Sequence, residues 1–167
     1  MPPVLYREAG LDDVPGIARV NSDTLRECGL APPEIYAPER LLARWDAYIR
    51  RVQHPQHALE PRALFGAFHD DRLIGYIAGH FSGRHGAQGE LESIYILKDF
   101  QRRGVGSALL AKLADWFVTN HRRTVCVGIE PANPYKQFYE KRGARYINPH
   151  WLVWDDIGAL ALSQSTD

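Results

Sequence analysis

The chain has 167 residues, enough for one full hydrophobic core and too few for two ordinary lobes. Hydrophobic residues make up 45% and charged residues 24%, near the soluble-domain average, which argues against both a disordered chain and a membrane protein. The 20 Lys and Arg balance the 20 Asp and Glu, so no overall field favours nucleic acid or another highly charged partner. No apolar run approaches the roughly 20 residues that cross a bilayer, and residues 1–8 carry no basic flank before an apolar stretch; a cytoplasmic protein is expected. Cys28 and Cys126 lack CxxC or Cys/His spacing, so neither a disulfide nor a metal is expected and both read as ordinary thiols.

Residues 4–8 read as a first strand. Asp12 or Asp13 then offers an oxygen to cap a helix with Pro15 in its first turn, and Val14, Ile17, Ala18, Leu25 and Cys28 share one face until Gly29 ends it. A second helix follows Ala37-Pro38, with Leu41, Trp45, Tyr48, Ile49 and Val52 at the helical period until His54-Pro55 stops it. Residues 63–68 and 73–80 are apolar runs joined by His69-Asp70-Asp71-Arg72, the pattern of a hairpin. After a glycine-rich loop at 82–89, residues 90–97 form a third run, whose alternation places Glu90, Glu92, Ile94 and Ile96 on one face. Val105, Leu109, Leu113, Trp116 and Phe117 predict an amphipathic helix over 104–120, followed by a buried strand at 124–129. A short helix at 133–141 ended by Gly143 and two strands, around Tyr146 and at 151–154, complete the chain. The expected order is βααβββαβαββ, an α/β fold with a mixed sheet in a single domain over 1–167: a core at about 4–155, a tail at 156–167 and a frayed end at 163–167.

The segment after the third sheet run, Gln101-Arg102-Arg103-Gly104-Val105-Gly106-Ser107, is a basic turn with two glycines that opens a helix. The first N–H groups of a helix have no intrahelical partner and carry the positive end of its dipole, so glycines that admit an anion there suit a phosphate. A P-loop is excluded because Ser107-Ala108 stands where Lys-Ser/Thr is required, and a Rossmann fingerprint would need glycine at Leu109. The two glycines alone fit equally well a helix that is simply entered through a glycine turn.

Gln101-x-x-Gly104-x-Gly106 after Ile94-Tyr95-Ile96 closely resembles motif A of the GNAT-superfamily N-acetyltransferases, and Asn133 to Gly143, with Phe138-Tyr139 between them, resembles that family's Asn…Phe-Tyr-x-x-x-Gly segment. The element order resembles the GNAT fold over about residues 4–155, a mixed, mostly antiparallel sheet flanked by helices. The resemblance implies that acetyl-CoA is the co-substrate. Gln101, Arg102, Arg103, Gly104, Val105, Gly106 and Ser107 would cradle its pyrophosphate, while the backbone of Ile94, Tyr95 and Ile96 would pair with the pantetheine arm. Asn133 and Tyr139 would also contact the coenzyme.

Acyl transfer to an amine needs a base, a polarised thioester carbonyl and a proton for the leaving thiolate. By resemblance Tyr139 is the acid, consistent with a phenol pKa of about 10 that keeps its proton at neutral pH. Glu90 and Glu92 are the candidate bases, because a strand carboxylate facing a substrate channel accepts an ammonium proton directly or through water. Each also suits a plain arginine pair, and His57, His80 and His85 rank behind them. A backbone N–H around Ile94 to Ile96 would stabilise the oxyanion, and Trp151 and Trp154 read as sheet packing ahead of a substrate cleft. The expected activity is transfer of an acetyl group to a primary amine; the alternative is a non-catalytic acyl-CoA-binding or sensor domain on the same fold. Segments 29–36 and 82–89 carry no motif that names the acceptor, and a homodimer is the base-rate expectation.

Overall fold

The hydrophobic periods resolve into β1 (Leu5–Glu8), α1 (Val14–Cys28), α2 (Pro38–Ile49), β2 (Leu59–His69), β3 (Arg72–Phe81), β4 (Gly89–Ile96), α3 (Val105–Thr119), β5 (Val125–Gly128), α4 (Gln137–Glu140), β6 (Arg145–Asn148) and β7 (Trp151–Trp154). The order is βααβββαβαββ, as the sequence predicts. The computed structural model describes residues 2–29, 33–52, 55 and 57–161. The expected helix stop at His54, residues 30–32 of the unassigned loop and the expected frayed end at 163–167 lie outside these. Among the described residues no helix is long and apolar enough to cross a membrane.

All seven strands join one sheet in the order β1-β2-β3-β4-β5-β7-β6. β4 and β5 run parallel and the other neighbours antiparallel. A parallel pair needs a crossover, and α3 supplies it. On one face α1 and α2 bury Ile17, Val20, Trp45 and Tyr48 against Leu64, Tyr76 and Ala78. On the other, α3 buries Leu109, Leu113 and Phe117 against Ile77, Leu91, Val125 and Trp154. The Phe117 ring occupies the space where a side chain on Gly89 would stand, which is how α3 approaches the sheet so closely.

Three local expectations change. Asp13 does not cap α1; its carboxylate accepts the Gly10 N–H at 2.9 Å and pairs with Arg7 at 2.9 Å. α2 stops at Ile49, so Val52 leaves the buried stripe and is 50% exposed. The tail does not end the core at 155: Ile157 and Ala161 are fully buried beside α3, and the Ile157 N–H donates to the Arg123 carbonyl. Ile157→Val is therefore expected to cost about 1 kcal/mol of unfolding free energy, the usual loss for one buried methylene; urea denaturation checks it.

The feature that positions the site is a double irregularity in β4. Ala78 pairs with Ser93 but Gly79 pairs with Leu91, which leaves Glu92 as the extra residue of a bulge. The bulge breaks the period of two. Glu90 and Glu92 share the α1/α2 side, as expected, but Ile94 and Ile96 turn to the α3 side rather than continuing their face. The parallel pairing of β4 with β5 ends at Leu91–Val127, although β4 runs on to Ile96, so the two strands splay apart.

Candidate active site

The splay opens a cleft of about 660 Å³. Its walls are the last turns of α1 at Thr24, Leu25 and Cys28, β4 from Glu92 to Ile96, the end of β5, and the start of α3 with α4. Backbone groups line it as well as side chains. The Leu97 N–H bonds to the Ile74 carbonyl at 2.9 Å, so Tyr95 and Ser93 face β3 by alternation, and Ile94 and Ile96 turn their peptide groups into the gap. The Gln101 amide takes up the Ile96 carbonyl at 2.9 Å. Gln101 thus pins the glycine turn to the strand it follows.

Gly104 is the N-cap of α3 at φ +82°, a left-handed conformation that glycine adopts without a Cβ penalty, and nothing stands within 4 Å of where that Cβ would be. With Arg102 at φ 59°, the turn brings the free N–H groups of the first turn of α3 to the cleft wall. The predicted cradle separates here. Gln101, Arg102, Gly104, Gly106 and Ser107 line the cleft, whereas Val105 buries its side chain in the core and Arg103 stands over the Phe100 ring at 5.6 Å. Asn133 lines the cleft but spends its oxygen on a local turn, accepting the Tyr135 N–H at 2.8 Å.

Sequence reasoning passed over one cation. Arg142 lines the same end of the cleft, donating to Ser107 Oγ at 2.6 Å and to the Phe138 carbonyl at 2.9 Å, with its guanidinium 3.9 Å above the Phe138 ring. Its signal was present in Lys141-Arg142-Gly143, but only the fold of α4 onto α3 turns that position toward a helix N-terminus. Arg142→Ala is expected to weaken coenzyme A binding about tenfold, the loss of one charge-assisted contact; calorimetric titration measures it.

Tyr139 lines the cleft between the Phe138 and Trp154 rings, with centroids at 5.5 and 5.9 Å. Its hydroxyl makes no hydrogen bond to any described residue. Burial, reinforced by Tyr95, pushes its pKa well above that of a free phenol, so it holds its proton throughout the neutral range. Trp154 is a core residue whose indole N–H donates to the Arg142 carbonyl at 3.0 Å. Trp151 packs against His85 and Arg84, outside the cleft.

The two glutamates differ. Glu92 lines the cleft and accepts Arg44 from α2 at 2.7 Å on one oxygen, and His57 and His80 at 2.8 and 2.9 Å on the other. Burial alone would raise its pKa, but the hydrogen bonds from His57 and His80, with the charge of Arg44, outweigh it and hold the carboxyl far below the usual range. Glu90 stands behind it, with Ser82 and Arg84 each at 3.3 Å. Burial first, then the charge of Glu92, raises its pKa above that of an ordinary carboxyl, opposed by His80, Arg84 and His57.

The sheet of the described residues is thus split beside its parallel β4–β5 pair, with a glycine-turn helix N-terminus at the opening. Residues 28–144 match the acetyltransferase (GNAT) family; the chain belongs to that family and is an acyltransferase. It is 30% identical over 178 aligned positions to the uncharacterized N-acetyltransferase YuaI of Bacillus subtilis strain 168, covering 94% of this chain and 96% of that one. Its fold matches the PaiA N-acetyltransferase of Thermoplasma acidophilum solved with coenzyme A, at a TM-score of 0.71 and 16% identity over 93% of this chain and 99% of that one. It also matches a GNAT-family acetyltransferase of Brucella melitensis solved with acetyl-CoA, at a TM-score of 0.64 and 17% identity over 90% and 86%.

Proposed function

We propose that this protein transfers the acetyl group of acetyl-CoA to a primary amine by direct attack within a ternary complex. The observation that carries this reading is the splay of β4 from β5, which puts Glu92, the peptide groups of Ile94 and Ile96, Tyr139 and the glycine turn on one continuous cleft. The residues present fit a pyrophosphate: Gly104 and Gly106 leave room beside the helix N–H groups, and Arg102 and Arg142 supply positive charge. The peptide group of Ile94 and the Ile96 N–H, which face the gap, suit the amides of a pantetheine arm; the Ile96 carbonyl is taken up by Gln101.

In this reading the amine enters beside the end of α1, where Glu92 meets its ammonium. Glu90, whose proton affinity burial and the charge of Glu92 raise, takes the proton through water, while Glu92 holds the ammonium by its charge. The amine nitrogen then forms a bond to the thioester carbon, while the Ile94 N–H donates to the oxyanion. The carbon–sulfur bond breaks as the oxyanion collapses, Tyr139 gives its proton to the departing thiolate, and the second amine proton returns to the Tyr139 oxygen, which leaves a neutral amide. The products are an acetylated amine and free coenzyme A.

The test is thermal unfolding with and without acetyl-CoA, followed by thiol release against a panel of primary amines. A ligand that binds only the native state raises the melting temperature by mass action. A shift together with amine-dependent thiol release supports the reading, and no shift overturns the coenzyme assignment.

A further inference from the structure

The cysteine spacing speaks against a thiolate metal site, but the fold assembles a different set of donors. His57 precedes β2, His80 lies on β3, and Glu90 and Glu92 lie on either side of Leu91 in β4; one donor atom from each converges within a cluster no wider than 4.8 Å. We propose that His57, His80, Glu90 and Glu92 bind a single divalent transition ion of the Zn²⁺ type at the base end of the cleft.

Four observations support it. First, a tetrahedral ion at about 2.0–2.2 Å from nitrogen and oxygen ligands holds those ligands about 3.3–3.6 Å apart. The imidazole nitrogens stand 2.8 and 2.9 Å from one oxygen of Glu92, and 3.9 and 4.0 Å from the two oxygens of Glu90, one each, values on either side of this spacing. Small rotations of the two carboxylates equalise them.

Second, the ring of His80 is set as a ligating imidazole is set. Its Nδ1 lies 2.8 Å from the Phe81 carbonyl, which only accepts, so Nδ1 carries a proton and Nε2 is directed at the cluster. Third, both carboxylates have outer partners that fix them: Arg44 holds Glu92, and Arg84 with Ser82 holds Glu90. Fourth, the cluster is enclosed. His80 is fully buried, the Glu90 and Glu92 side chains are 5% and 6% exposed, and solvent reaches the cluster past His57, at 35%, and from the cleft wall at Glu92.

The chemistry of the set decides the kind of ion. Two imidazoles favour Zn²⁺, Co²⁺, Ni²⁺ or Cu²⁺ over Mg²⁺ and Ca²⁺, which prefer all-oxygen shells. Arg44 and Arg84 already offset the two carboxylate charges, so the ion is held mainly by ligand geometry, and a chelator should remove it. In the ion-free protein the N–H groups of the two rings hold Glu92 in its place. One consequence rests on the acetyl-transfer reading above: an ion on Glu92 and Glu90 removes the base, so its binding inhibits the enzyme.

The test uses Co²⁺ as the probe on full-length protein freed of metal with EDTA. Binding of one Co²⁺ per chain, with the intense visible absorption of a tetrahedral ion, is the expected result. His57→Ala and His57→Gln should weaken that binding by at least about tenfold, the order expected when a shell member is lost. His85→Ala, whose ring stacks on Trp151 outside the cluster, should leave it unchanged. Circular dichroism checks that each variant is folded. Absence of the tetrahedral band, its persistence in both His57 variants, or its loss in His85→Ala overturns the site. Tetrahedral Co²⁺ bound with no fall in the acetylation rate leaves the site standing and overturns the inhibition, and with it the Glu90–Glu92 base.

Discussion

Tyr139→Phe is expected to slow acetyl transfer at least a hundredfold or so while leaving coenzyme A affinity and thermal stability at the wild-type level. A positioned general acid contributes about 10²- to 10⁴-fold, here by giving the sulfur its proton as the carbon–sulfur bond breaks. The hydroxyl makes no hydrogen bond to a described residue, so removing it strands no partner, and the ring keeps its edge contacts with Phe138 and Trp154. Stability and binding are thus separated from chemistry at this position. Steady-state thiol release gives kcat, calorimetry gives the coenzyme affinity, and a melting curve closes the comparison. A wild-type kcat would remove Tyr139 from the mechanism and leave solvent as the proton source.

The second large effect belongs to the helix opening. Gly106 lies in the first turn of α3, where its helical backbone accepts any residue, but an added Cβ would sit 3.2 Å from the Phe138 ring and on the wall of the cleft. Gly106→Val should therefore fold, since branched residues are no worse than glycine in a helix. Its extra methyl groups must displace Phe138 or project into the space assigned to pyrophosphate. Coenzyme A affinity is expected to fall about a hundredfold, the loss of one or two hydrogen bonds to a charged group at about 1.5–3 kcal/mol each. In a melting experiment the variant should unfold near the wild-type temperature alone and no longer respond to acetyl-CoA. An undiminished response would place the phosphate cradle elsewhere in the cleft.

These two positions differ from Glu90 and Glu92 in how the chain displays them. Gly106 and Tyr139 stand in short blocks whose spacing is itself the signal, because a strand, a glycine turn and a helix are determined by neighbours in the chain. The glutamates were legible as residues and not as an arrangement. Period-two alternation put Glu90 and Glu92 on one face with Ile94 and Ile96, and the bulge at Glu92 sent the last two to the other side. A bulge depends on the partner strand's register, and a single strand's sequence does not display it.

The sequence by itself determined the order of elements, the α/β class, the amphipathic faces of the helices and the glycine turn at the head of α3, because each follows from periodicity and backbone preference over a few neighbouring residues. The tertiary structure decided the rest. It chose where β5 leaves β4, it brought Arg142 to the opening of α3, and it gathered Arg44, His57 and His80 around one carboxylate from three separate parts of the chain. Whether a buried glutamate gains or loses proton affinity depends on which charges long-range packing sets beside it, and so Glu90 and Glu92, two residues apart in one strand, are driven in opposite directions.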